Sequence, residues 1–83
     1  GVEITSDKLK LIDQAEGYLR ELGFRQVRVR YHHELARIEV DKGDLKRLVD
    51  HSPQIVRRFE ELGFLYVTAD LAGYRTGSLN ASL

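Results

Sequence analysis

The run Arg25-Gln26-Val27-Arg28-Val29-Arg30-Tyr31-His32-His33-Glu34-Leu35-Ala36-Arg37-Ile38-Glu39-Val40 decides the fold. Over 25–31 apolar and polar residues alternate strictly. A period of two is the mark of a half-buried strand, with Val27, Val29 and Tyr31 facing a core. A polar break, His32-His33-Glu34, follows, and the alternation resumes with Ala36, Ile38 and Val40 against Arg37 and Glu39. Two alternating runs across a short polar break read as a β-hairpin. If the valines point inward, Arg28 and Arg30 point outward, ~7 Å apart along the strand. The hairpin partner then places Arg37 and Glu39 on the same outer face.

Outward from the hairpin, the chain reads as helices that cover the other face. Leu9, Ile12, Ala15, Tyr18, Leu19 and Leu22 recur at spacings of three and four, an amphipathic helix that Thr5 or Ser6 caps. Downstream, Lys42-Gly43 marks a turn, and Asp44 caps a short helix over 45–51. Ser52-Pro53 restarts it as a longer helix with Ile55, Val56, Phe59 and Leu62 on one stripe. Residues 64–68 form a third strand. Glu21-Leu22-Gly23-Phe24 recurs as Glu61-Leu62-Gly63-Phe64, each time where a helix hands over to a strand, so both glycines read as helix caps. The order is α-β-β-α-β. That predicts an α/β chain of the α+β two-layer sandwich kind: half of a ferredoxin-like unit, with a small, mainly antiparallel sheet and helices on one face.

Eighty-three residues make one domain. A hydrophobic fraction of 42% and a charged fraction of 31% are ordinary globular values, which argues against disorder. The absence of cysteine excludes a disulfide scaffold, a thiolate zinc site and a cysteine nucleophile within these residues. Thirteen basic and thirteen acidic residues cancel, so no overall charge draws nucleic acid or anionic lipid. No apolar run reaches the ~20 residues of a membrane span. A cytoplasmic protein with neither nucleic-acid nor membrane partners is the expectation. The opening Gly1-Val2-Glu3-Ile4-Thr5, in a chain without Met, reads as the start of an excised domain spanning 1–83.

The side chains that could do chemistry are few. Two parallel guanidinium forks, Arg28 and Arg30, suit a phosphate or a carboxylate. The same pattern also suits a solvated strand face, and spacing alone favours that simpler reading. His32 and His33 are adjacent and point apart, no cysteine completes a ligand set, and the acidic residues lack EF-hand spacing, so no metal site is expected. No Walker loop, Gly-x-Gly-x-x-Gly or Gly-x-Ser-x-Gly motif occurs. The stretch Gly73-Tyr74-Arg75-Thr76-Gly77-Ser78-Leu79-Asn80 reads equally as an anion-facing loop or as a fraying terminus. The fragment thus has no catalytic group of its own.

Three blocks, in this order and spacing, carry a resemblance: 22–30 (LGFRQVRVR), 35–40 (LARIEV) and 62–80, with Leu62-Gly63-Phe64, Tyr66-Val67-Thr68, Gly73-Tyr74-Arg75 and Ser78-Leu79-Asn80. Together they resemble the C-terminal domain of LarE-type ATP-dependent sacrificial sulfur transferases, of the PP-loop ATP pyrophosphatase superfamily. The resemblance implies an enzyme that thiolates the carboxylate of a pyridinium dicarboxylate mononucleotide during nickel-pincer nucleotide cofactor biosynthesis. It implies ATP and Mg bound by an N-terminal domain with a Ser-Gly-Gly-x-Asp-Ser loop, which is absent here. In many members a cysteine attacks the adenylylated carboxylate and gives up its sulfur, becoming dehydroalanine. Others lack that cysteine, which would lie about ten residues before Gly1, ~30 Å of extended chain. By motif match, Arg28, Arg30 and Arg75 are substrate-phosphate ligands and Glu16 is an active-site neighbour; Arg37 and Glu39, on the same outer face, and Ser78 and Asn80, beyond the last strand, are expected in support. Family members are homo-oligomers, hexamers among them, and neighbouring subunits complete the site. The family often has Gly where His33 stands, so a turn needing positive φ would cost ~1 kcal/mol more here. A free-standing ferredoxin-like module that senses a ligand or binds a protein is the alternative. RNA binding is disfavoured by the zero net charge and an outer face expected to lack exposed aromatics.

Overall fold

The computed structural model describes residues 6–75. Helix α1 spans Ser6–Glu21, strand β1 Val27–His32 and strand β2 Leu35–Val40. A single 3₁₀ turn, Lys42–Asp44, leads into helix α2, Leu45–Asp50, then helix α3, Ser52–Leu62, and strand β3, Tyr66–Ala69. Thr5, the alternative cap of α1, lies outside the described residues, and α1 starts at Ser6 itself.

The sheet runs in the order β1-β2-β3. β1 and β2 pair antiparallel, Val27 opposite Val40 and Val29 opposite Ile38. β3 pairs parallel with the other edge of β2, Leu35 opposite Tyr66 and Ile38 opposite Ala69. Parallel neighbours need a long crossover, and α2 and α3 supply it. The expected order and layering hold. The antiparallel pairing covers six residue pairs and the parallel one four.

The periodicities place the core as expected. Val27, Val29, Ala36, Ile38 and Val40 lie buried on one sheet face against Ala15 and Leu19 of α1 and Ile55 and Phe59 of α3. Each of the larger side chains among them contributes roughly 1.5–3 kcal/mol on leaving water. Leu9 and Val56 depart from their stripes and stay 55% and 36% exposed. Sixteen residues of helix run ~24 Å while six of strand run ~20 Å, so the first turn overhangs the sheet. Both Leu-Gly-Phe junctions are the same device. Gly23 and Gly63 take positive φ of 102° and 117°. The amides of Phe24 and Phe64 then reach back to the carbonyls of Leu19 and Phe59, at 3.2 and 3.0 Å. The two phenylalanines so positioned are fully buried. Arg47 locks the first junction, donating to the carbonyls of Leu22 (3.1 Å) and Gly23 (3.2 Å) with its guanidinium 4.1 Å from the Phe24 ring centre.

The hairpin turn has only two residues, and both are left-handed: His33 at φ 47° and Glu34 at φ 68°. That is the backbone of a type I′ turn, whose twist matches that of the strands it joins. Its preferred sequence is Asn-Gly, because each ordinary L-residue there is strained by ~1–2 kcal/mol. The double variant His33→Asn, Glu34→Gly is therefore expected to raise stability by about 1 kcal/mol, ~4–8 °C in a thermal melt of a domain this size. A melting temperature that stays put or falls would contradict this turn geometry.

Candidate anion-binding face

The antiparallel register settles which side chains share the face opposite the helices. Arg28 stands across from Glu39, Arg30 across from Arg37, and His32 across from Leu35. The arginines expected on one face are thus brought together on it, from two strands whose positions the core fixes. Tyr66 and Thr68 of β3 join them through the parallel register. Tyr66 is 57% exposed, so the expectation of a face without exposed aromatics is corrected. Its place opposite Leu35, an outward-facing position, accounts for it.

At the centre of this face the Glu39 side chain is only 1% exposed. Its Oε2 lies 3.3 Å from an Arg37 terminal nitrogen and its Oε1 3.6 Å from Arg30 Nε. A carboxylate this deeply buried is tolerable only when paired, and the two guanidiniums pair it. The cations themselves, Arg30 and Arg37, stand directly opposite each other, an arrangement that repels unless a counter-charge lies between. Arg37 also reaches toward Asp70 at 4.0 Å.

The far end of the face is covered by a strap formed from residues 70–74, just beyond β3. Asp70 accepts from the Ala72 amide through its carboxylate (2.9 Å) and from the Gly73 amide through its carbonyl (3.0 Å). The Tyr74 amide then donates to the Val40 carbonyl at 2.6 Å. This brings the Tyr74 hydroxyl within 3.3 Å of an Arg28 terminal nitrogen, and its ring centre 5.7 Å from the Arg28 guanidinium carbon. Arg75 follows, exposed. Ser78 and Asn80, expected as supporting ligands, and Gly77 lie outside the described residues. Gly73 and Tyr74, which the sequence offers as part of an anion-facing loop or a fraying terminus, take part in this face together with Asp70, and the Gly73 and Tyr74 amides are spent on the Asp70 and Val40 carbonyls.

Glu16 is placed elsewhere. Its Oε2 accepts from the backbone amide of Val29 at 2.9 Å, on the outer edge of β1, and its Oε1 lies 3.5 Å from Arg20. An edge strand presents unpaired amides that invite another strand, and Glu16 satisfies one of them. His51, the third histidine, faces the Arg47 carbonyl through Nδ1 at 2.8 Å. A carbonyl only accepts, so Nδ1 carries the proton. Among the described residues, no helix is long and apolar enough to cross a membrane.

No protein-family model matches the chain. Three curated proteins are similar to it. An uncharacterized protein of Synechocystis sp. is 47% identical over the whole chain and 32% of its own length. Pyridinium-3,5-bisthiocarboxylic acid mononucleotide synthase of Lactiplantibacillus plantarum is 41% identical over the whole chain and 30% of its own length. An uncharacterized protein of Methanocaldococcus jannaschii is 34% identical over 89% of the chain and 29% of its own length. The chain thus spans about a third of the relatives it matches.

The strap depends on Gly73, which is buried and has φ 82°. A Cβ there would sit 3.0 Å from the Val40 carbonyl oxygen and 3.2 Å from the Lys42 amide nitrogen, both backbone atoms. Gly73→Ala is expected to release the strap locally, at a cost of ~1–3 kcal/mol. In hydrogen exchange the Tyr74 amide should lose its protection while the Val29 amide, held by Glu16, keeps it. A Tyr74 amide that stays protected would mean the clash is relieved without opening the strap.

Proposed function

We infer that this chain, which matches the C-terminal domain of a LarE-type protein, serves a LarE-type sulfur transferase by holding the phosphate of a pyridinium mononucleotide on its arginine face. The observation that carries the reading is the placement of Arg28 and Arg30 side by side on β1, on the face the helices leave uncovered. A guanidinium presents its donors in a planar fork that matches two phosphate oxygens, and two forks on one rigid strand are pre-organised for a single phosphate group. The product named for the Lactiplantibacillus relative is a mononucleotide, whose one phosphate ester is the group such a face recognises.

On this reading the chain binds and orients, and bond-making occurs elsewhere. It carries neither a cysteine to supply sulfur nor a Ser-Gly-Gly-x-Asp-Ser loop to hold nucleotide phosphates. ATP and Mg²⁺ therefore belong to a separate domain of a longer protein, which would activate the substrate carboxylate as an adenylate. Holding the phosphate at one end of the substrate fixes where its carboxylates lie, and that positioning is how a remote binding domain raises a rate. Tyr74 steadies Arg28 from the side, and Arg75, the next residue and exposed, is proposed as a third cation for the same anion. A homo-oligomer in which neighbouring subunits complete the site is part of the proposal.

Arg28→Ala is the cleanest test, because Arg28 pairs with a neutral hydroxyl rather than with a buried acid. In the full-length protein it should weaken nicotinic acid mononucleotide binding by about tenfold or more, the worth of one charge-assisted contact. Binding of the phosphate-free nicotinic acid riboside should be unchanged. Isothermal titration reads both. Equal losses for the two ligands, or none for the mononucleotide, would place the phosphate elsewhere. Arg30→Ala should also melt lower, since it strips a partner from buried Glu39.

A further inference from the structure

We propose that Glu39 is a positioning residue for the anion site: it holds Arg30 and Arg37 in the orientation that receives the phosphate, and does not touch the ligand itself. The inference rests on the reading of the arginine face given above and assigns one of its members a different task from the others.

Three observations carry it. Glu39 is the only buried charged residue among those described, with 1% of its surface exposed. A carboxylate so enclosed, and negative, is a poor ligand for a phosphate. Its two oxygens face two different guanidiniums, Oε1 toward Arg30 Nε at 3.6 Å and Oε2 toward Arg37 at 3.3 Å. Arg30 and Arg37 come from paired positions on adjacent strands, where like charges push apart. Without a charge between them, the two long side chains would splay. With Glu39 there, both planes are fixed before any ligand arrives, so less of the binding energy goes into ordering them. Oε1 itself has no hydrogen bond.

Charge alone and positioning predict opposite results, which makes the proposal testable. A negative group beside an anion site weakens binding by repulsion, so a purely electrostatic Glu39 predicts tighter binding on neutralisation. The positioning role predicts looser binding despite the removed repulsion. The experiment titrates nicotinic acid mononucleotide into the full-length protein carrying Glu39→Gln or Glu39→Asp, with far-ultraviolet circular dichroism as the fold control. The expected result is a loss of roughly tenfold in both variants. Glu39→Asp keeps the charge but withdraws the carboxylate by one methylene, and serves alone if Glu39→Gln does not fold. The Nε–H resonances of Arg30 and Arg37, sharp when the guanidiniums are pinned, should broaden in both variants before ligand is added. Unchanged or tighter binding in a folded variant, or arginine resonances that stay sharp, overturns the positioning role. If Arg28→Ala leaves mononucleotide binding intact, the anion-face reading fails instead, whatever Glu39 does.

Discussion

A two-residue turn joins antiparallel strands without splaying them only if both residues accept positive φ, and the register of this sheet hangs on such a turn at His33 and Glu34. Because side chains alternate with a period of two, a slip of one residue would carry every valine of β1 to the outer face and every arginine into the core. The turn and the buried alternation therefore fix each other. The turn also reaches beyond the hairpin. The Glu34 carbonyl accepts from the amides of Leu65 and Tyr66, at 2.8 and 3.3 Å, so the same residue that strains the turn sets where β3 begins. Strain at Glu34 is thus offset by bonds that start the third strand.

The outer face follows from that register. Arg28, Arg30, Arg37 and Glu39 sit where the core residues between them dictate, and their backbones have little freedom left. What the register does not supply is cover. The strap across residues 70–74 does, turning back through Asp70 and Gly73 to fasten Tyr74 on Val40. A face assembled this way has a rigid part, two strands, and an attached part, the strap. The first fixes the spacing of the guanidiniums, and the second brings the Tyr74 ring beside Arg28.

Most of the architecture was legible because it rests on period and on caps, which are local. Val27, Val29, Ile38 and Val40 announced the buried face, and the two Leu-Gly-Phe repeats announced both helix-to-strand junctions. The outward direction of Arg28 and Arg30 followed from the valines between them. The parts that stayed hidden depend on partners distant in sequence. Nothing near Glu39 in the chain says that it is buried, since that needs Arg30 from the neighbouring strand. Glu16 reads as a helix-surface acid until β1 lies alongside to offer the Val29 amide. Arg47 likewise reads as a solvated charge until the end of α1 comes within reach. Tyr66 looked like one more strand residue, and only the parallel register turned it outward.

The division between Glu16 and Glu39 shows why charge type alone misleads in so small a domain. Both are acids beside arginines; Glu16 was expected as an active-site neighbour and Glu39 as a support of the phosphate-holding face. Glu16 lies on a helix flanking the sheet, so its carboxylate meets a strand edge and satisfies a backbone amide. Glu39 lies on the central strand, with a neighbour on each side, so its carboxylate has no solvent to turn to and must take its partners from the face itself. A central-strand acid is thereby committed to its neighbours' charges, whereas a flanking-helix acid is committed to backbone. On a three-stranded sheet only β2 offers positions of the first kind. Glu39 is the acid that occupies one, and the arrangement of the arginines around it is the consequence.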